Sequence, residues 1–265
     1  MAGAAGTLAL LVIAGIVMTQ EADGPLPSPV ASEPPRPAKP TSDASSPPPP
    51  DGVRAAVAHL DDSSAAFTLT VLGDSTGNDG DEWVANLARE IADENGRPVS
   101  YNAWDATAGR YSASLTFGQG DAAPVTIWNG SAAGRGPDYS LANLPALAPF
   151  PSDVLVVNHG HNFVTSQQGA ADEASLITAT ATQWQTTPAV AVTLQNPRLT
   201  DAVRQDANLA AVRELVTGSS HTVIDVTSAF RAQPDLASLL QADGTHPNAA
   251  GQALWLESVR SALGL

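Results

Sequence analysis

Four short stretches of the sequence carry residue types that could do chemistry together. Gly73-Asp74-Ser75-Thr76-Gly77 places a serine between glycines directly after an apolar run, Phe67 to Leu72. A serine hydroxyl becomes a nucleophile when an adjacent base takes its proton. Asp243-Gly244-Thr245-His246-Pro247-Asn248 supplies such a base and the group to orient it. A carboxylate three residues before a histidine in a turn can reach the imidazole Nδ1 proton, which leaves Nε2 to face a nucleophile. Acyl transfer from an ester also needs donors aimed at the developing oxyanion. Asn129-Gly130-Ser131-Ala132-Ala133-Gly134-Arg135-Gly136 can offer backbone N–H groups through its glycines, and Asn158-His159-Gly160-His161-Asn162 can offer a side-chain amide through its last residue. Taken singly, these stretches also read as a turn serine, a turn aspartate with a capping histidine, and two ordinary strand-end loops. Their order and common placement give them weight.

The elements that must position them alternate in type. Phe67 to Leu72, Val125 to Trp128, Val154 to Val157, Ala189 to Leu194 and Val223 to Val226 are short runs of Val, Ile and Leu bounded by Gly, Pro, Asn or Asp. They read as buried parallel strands. Tyr101 to Trp104 and Tyr111 to Thr116 are weaker strand candidates, expected beside the first strand. A helix is predicted from about Asp81, since Val84, Leu87, Ala88 and Ile91 follow helical spacing, and Val203, Ala207, Ala210 and Ala211 do so more loosely. Another follows His246, with Pro247 as its first residue and Leu254, Trp255 and Val259 on its apolar face. Alternating strands and helices predict an α/β sandwich whose ligands lie outside the carboxyl ends of the strands. All four stretches fall at that edge.

Other chemistries fit less well. Gly73 to Gly77 satisfies G-x-S-x-G, but the α/β-hydrolase fold places several strands before its elbow and Ser75 follows the first. No Gly-Lys pair follows, so the loop is not a phosphate-binding loop. His159 and His161 form a His-x-His pair without evident acidic ligands, and read as neutral loop residues rather than a metal site. Asp61-Asp62 and the cluster Asp79, Asp81 and Glu82 could suggest glycosidase carboxylates. Surface acids near a helix start are more simply explained by the helix dipole.

With these residues in view, the sequence from Phe67 to Leu265 resembles the SGNH or GDSL hydrolases. Gly73-Asp74-Ser75 is similar to the first family block, Asn129 to Gly134 to the second, Gly160-His161-Asn162 to the third, and Asp243 with His246 to the fifth. The resemblance implies a three-layer αβα sandwich with a flavodoxin-like parallel sheet, serine esterase chemistry, and no metal or other cofactor. It further implies that Ser75 is the nucleophile and a backbone oxyanion donor. Gly134, five residues after Asn129, would be the second donor, Asn162 the side-chain donor, and Asp243 and His246 the rest of the triad. Phe163 departs from the family pattern, which usually has Asp there.

Composition narrows the partners. Twelve Lys plus Arg against 27 Asp plus Glu give a formal charge of -15, which would repel nucleic acid and anionic lipid. The absence of cysteine removes disulfides and thiol nucleophiles. Residues 1–20 are almost continuously apolar from Leu8 to Val17 and read as a signal or membrane anchor, short for a span. Residues 21–51 hold 11 prolines between Pro25 and Pro50 and read as an extended, disordered spacer. The hydrolase domain is then expected over 52–265. The sequence thus predicts an exported, membrane-anchored or secreted serine esterase acting on lipid, aryl or sugar O-acyl esters, as small molecules or polysaccharides. The alternative is a non-catalytic surface domain of the same fold that binds a glycan.

Overall fold

The computed structural model describes residues 52–265. The N-terminal segment and proline-rich spacer predicted above lie outside the described residues. Among the described residues no helix is long and apolar enough to cross a membrane.

The strands are β1 (Phe67–Gly73), β2 (Val99–Asp105), β3 (Arg110–Tyr111), β4 (Leu115–Phe117), β5 (Val125–Asn129), β6 (Val154–Asn158), β7 (Ala189–Leu194) and β8 (Thr222–Asp225). The helices are α1 (Gly52–Val57), α2 (Trp83–Asn95), α3 (Pro137–Ala142), α4 (Leu144–Leu147), α5 (Ser166–Trp184), α6 (Ala202–Val216), α7 (Val226–Arg231) and α8 (Ala249–Leu263). The sheet order is β3-β2-β5-β1-β6-β7-β8, with β4 also on β2, and every pairing except those of β3 and β4 is parallel. Numbered along the chain, β1, β5, β6, β7 and β8 run in the spatial order 2-1-3-4-5, the flavodoxin-like arrangement. The chain leaves β1 towards β5 on one side and resumes at β6 on the other. In sheets of this order ligands bind outside the strands' carboxyl ends at such a switch point.

Alternation along each strand builds two cores. Leu69, Val71, Val154, Val156 and Ala191 pack with α1, α2, α7 and α8, whereas Leu72, Leu155, Val157, Val190, Val192 and Leu194 pack with α4, α5 and α6. Each fully buried Val or Leu contributes roughly 1.5–3 kcal/mol. The α2–α8 contact illustrates which effects dominate. Arg260 bonds Glu90 at 3.0 Å and Glu94 at 2.8 Å, but such partly exposed pairs contribute about 0–1 kcal/mol. The fully buried Trp83 and Trp255 stack with centroids 6.4 Å apart, so the contact rests mainly on them.

Several expectations are corrected. The Tyr101 to Trp104 strand is β2, and it pairs with β5 rather than β1, because β5 lies between them and is paired in parallel with both. The Tyr111 to Thr116 candidate divides into β3 and β4, both antiparallel on β2 at the sheet edge. Val226 belongs to α7 instead of the preceding strand, since Asp225 caps that helix by accepting from Ser228 N at 2.9 Å. Pro247 lies just outside α8, because Asn248 is the cap and its Oδ1 accepts from Ala250 N and Gly251 N at 3.0 and 3.2 Å.

Glu82 is a further correction. It is 7% exposed at the start of α2, where its Oε2 accepts from Asp79 N at 2.8 Å, so it is not a surface acid. Burial pushes its carboxyl up to about 7; the Asp79 amide opposes this and the Asp79 and Asp81 charges add to it. A carboxyl raised on folding favours the fold at low pH, and that contribution is lost as pH rises from the unfolded value of 4.5 through about 7. Glu82→Gln, which keeps an acceptor for Asp79 N, should therefore raise the urea midpoint at pH 8 and leave it nearly unchanged at pH 4. An equal effect at both pH values would show that Glu82 does not titrate in this window.

Candidate active site

Three of the predicted site residues meet, from loops far apart in the chain. Ser75 follows β1 at the carboxyl edge, and its Oγ lies 2.8 Å from His246 Nε2. His246 Nδ1 lies 2.6 Å from Asp243 Oδ2, whose partner oxygen accepts from Thr245 N at 2.8 Å and His246 N at 3.0 Å. A carboxylate at that distance holds the proton on Nδ1, so Nε2 presents a lone pair to the serine hydroxyl. Burial acts to raise the Asp243 carboxyl, but the bonds from the His246 ring and the two amides outweigh it and bring it down to about 2. Asp243 is thus an anion throughout the neutral range, and the imidazole is oriented for proton abstraction.

Asn162 is tied to the nucleophile loop. Its Nδ2 donates to Asp74 Oδ2 at 3.3 Å, while Asp74 Oδ1 accepts from Thr76 N at 3.1 Å, Thr76 Oγ1 at 2.9 Å and Gln195 Nε2 at 3.1 Å. Asp74 is fully buried, so its bonds hold the residue before Ser75 and the Asn162 amide in one register. The second proton on Asn162 Nδ2 is left for another acceptor. Phe163 is 2% exposed and packs in the second core directly against Gly169 of α5, where a Cβ would lie within the ring. The loop that carries Asn162 is therefore anchored by the apolar burial of Phe163.

Gly134 sits in the exposed loop after β5 with φ +68°, a conformation that admits glycine far more readily than other residues. Asn129, at the end of β5, donates from Nδ2 to Gly77 O at 2.7 Å and to Tyr101 Oη at 2.8 Å, which pins the far end of the Ser75 loop. Gly136 is packed against Asn162, since a Cβ there would lie 3.1 Å from Asn162 O. The Gly134 and Asn162 loops are therefore neighbours.

The two loop histidines serve the scaffold. His159 Nε2 is 3.0 Å from Ser140 Oγ, and His161 Nε2 donates to Asn196 O at 3.0 Å. Burial lowers both, His159 to about 4, so at neutral pH His159 is an uncharged ring. Among the described residues no group of three or more His, Cys, Asp or Glu could hold a metal ion.

Sequence reading passed over Asp74 and Gln195 as participants. The available signal was their position: both are polar residues directly after apolar strands at the edge where ligands bind. Their bonds reach across 121 residues of chain, so spacing carries no trace of them.

No protein-family model and no curated protein sequence matches this chain. Solved structures do match. A lipase/acylhydrolase from Enterococcus faecalis aligns over 75% of this chain and 96% of its own at 16% identity, with a TM-score of 0.55. A member of the lipolytic protein G-D-S-L family from Veillonella parvula aligns over 74% and 97% at 15% identity, TM-score 0.54. An acetylxylan esterase from Geobacillus stearothermophilus aligns over 76% and 96% at 14% identity, TM-score 0.55. With its 2-1-3-4-5 strand core and helices on both faces, the chain has the three-layer αβα fold of the SGNH or GDSL hydrolases.

Proposed function

We propose that this protein is a carboxylic ester hydrolase working through an acyl-enzyme on Ser75. The observation that carries the reading is the unbroken line from Ser75 Oγ through His246 to Asp243, with separations of 2.8 and 2.6 Å. Ser75 Oγ attacks the ester carbonyl carbon while its proton passes to His246 Nε2. The carbonyl π electrons move to oxygen, and the resulting oxyanion is held by the Ser75 and Gly134 amides and the Asn162 side chain. Collapse of this intermediate breaks the bond to the alcohol, which leaves with the proton from His246. Water then repeats the sequence on the acyl-enzyme, releasing the acid and restoring Ser75. Every step is a proton transfer or a displacement, for which the chain's own residues suffice.

For substrate we propose small-molecule or polysaccharide esters, the second in keeping with the fold shared with an acetylxylan esterase. Residues 1–20 would export or anchor the protein, with 21–51 spacing the domain from the membrane. A fluorophosphonate probe should label Ser75 alone, and a panel of p-nitrophenyl esters of increasing chain length, run beside an acetylated polysaccharide, should reveal turnover. No labelling and no turnover on any of them would overturn the proposal.

The oxyanion role has its own test. Asn162→Ala should lower kcat by about 10²–10³ with little change in KM, because that bond strengthens only as charge develops. If Asn162 merely tied its loop to Asp74, its loss would cost roughly 0.5–1.5 kcal/mol of stability and leave kcat intact. Measuring kcat and the urea midpoint on one preparation separates these outcomes.

A further inference from the structure

The segment after β7, Gln195-Asn196-Pro197-Arg198, touches all three loops that carry the triad and Asn162. Gln195 Nε2 donates to the nucleophile loop, at 3.1 Å to both Asp74 Oδ1 and Thr76 Oγ1, and to Asn158 O at 3.0 Å. Its Oε1 accepts from His161 N at 2.7 Å, the residue before Asn162. Asn196 O accepts from His161 Nε2 at 3.0 Å, and Asn196 Nδ2 donates to Thr245 O at 2.9 Å, the residue before His246. Arg198 repeats the bridge further out: Nη1 donates to His161 O at 3.2 Å and Nε to Thr245 Oγ1 at 3.3 Å. Leu199 N to Gly244 O at 2.8 Å and Thr200 Oγ1 to Thr245 Oγ1 at 2.9 Å complete the seam.

Two of the loops it joins follow β1 and β6, neighbouring strands whose ends pair Gly73 with Asn158, and the third is the approach to α8. The loop before α8 belongs to neither strand, so its distance from the other two is set by loop and side-chain bonds rather than by strand pairing. Misplacing a reacting group by about 1 Å can cost about 10²-fold in rate, so a device that registers these loops acts on the chemistry without touching substrate. Gln195 and Asn196 are fully buried and bound into the scaffold. Arg198 is only partly buried, and its planar fork reaches a hydroxyl on one loop and a carbonyl on the other at once.

We infer that Gln195-Asn196-Pro197-Arg198 is a strap that sets the distance between His246 and Asn162, with Arg198 as a positioning residue for ester hydrolysis. The inference rests on the proposed esterase reading for its kinetic consequence, and on geometry alone for its structural one.

Arg198→Ala and Arg198→Lys test it, with p-nitrophenyl acetate as substrate and proton NMR of the substrate-free protein. Arg198→Ala should lower kcat about tenfold to a hundredfold with KM within about twofold. Arg198→Lys should recover only part of the loss, because an ammonium cannot span both acceptors in the same plane. Combined with Asn162→Ala, the Arg198→Ala loss should shrink, since part of the registered distance then ends in no donor. In the resting protein, the downfield His246 Nδ1–H resonance should broaden or shift in Arg198→Ala. Thr245→Val, which removes the hydroxyl that both Arg198 and Thr200 reach, should act in the same direction. A folded Arg198→Ala with unchanged kcat and an unchanged Nδ1–H resonance would overturn the inference, as would a lowered urea midpoint with neither of those moved. If the wild-type protein turned over no ester, the proposed function would fail, while the resonance would still decide whether Arg198 registers His246.

Discussion

Ser75→Ala is expected to lower ester hydrolysis by on the order of 10⁶ in kcat and to abolish fluorophosphonate labelling, with the fold intact. The size follows from the geometry. Ser75 Oγ is the hydroxyl 2.8 Å from His246 Nε2, so alanine leaves the base with no nucleophile to activate and no acyl-enzyme can form. Any residual rate would come from the proposed oxyanion donors and from water. Stability should barely move, because Ser75 lies in a partly exposed loop and the methyl of alanine replaces a single hydroxyl; the buried bonds of Asp74 and Thr76 that shape the loop are untouched. Thermal melting and kcat on the same preparation check both halves. A variant retaining more than about a tenth of wild-type kcat would remove Ser75 from the mechanism.

Asp243→Asn is expected to be the next most damaging substitution, with a loss of about 10⁴ in kcat. The replacement is nearly isosteric, and Oδ1 can still accept from Thr245 N and His246 N, so the loop should keep its shape. At the 2.6 Å contact with Nδ1, however, an amide NH₂ group would face the ring, favour the tautomer protonated on Nε2, and leave no charge to stabilise the imidazolium. Substrate binding is not touched, so KM should change far less than kcat. The same variant should alter acid stability. A carboxyl held near 2 contributes stability above its unfolded value of 3.8 that is lost as pH falls through about 2. The amide does not titrate and cannot show that loss, so stability curves of wild type and variant should converge below about pH 2. A kcat within tenfold of wild type would mean that His246 is oriented by something other than Asp243.

Much of the site was legible because some of its bonds are local. Asp243 and His246 are three residues apart, and a turn between them brings the carboxylate to Nδ1 whatever the rest of the chain does. Ser75 at the end of an apolar run, Asn162 at the end of another, and glycines after a third are features of strand ends, and parallel strands put all such ends on one edge. The alternation that sends Leu69 and Val71 to one core and Leu72 to the other likewise follows from composition along a few residues. These statements need only local geometry and hydrophobic patterning.

Where the strands lie in the sheet is a different kind of fact. Nothing within Val99 to Asp105 or Val125 to Asn129 distinguishes which of the two pairs with β1: Val99 and Val125 are both fully buried, and the order is set by how the whole sheet packs. The burial of Glu82 is likewise absent from its own neighbourhood, where three acids in four positions read as surface. The sequence by itself determined the α/β sandwich, the strand-end residues and the Asp243-His246 pair. Only the tertiary structure decided that Ser75 meets His246 across 171 residues, and that Gln195 and Arg198 bind the separate loops together. Those bonds join groups whose positions are set by the packing of whole layers, so no spacing along the chain encodes them.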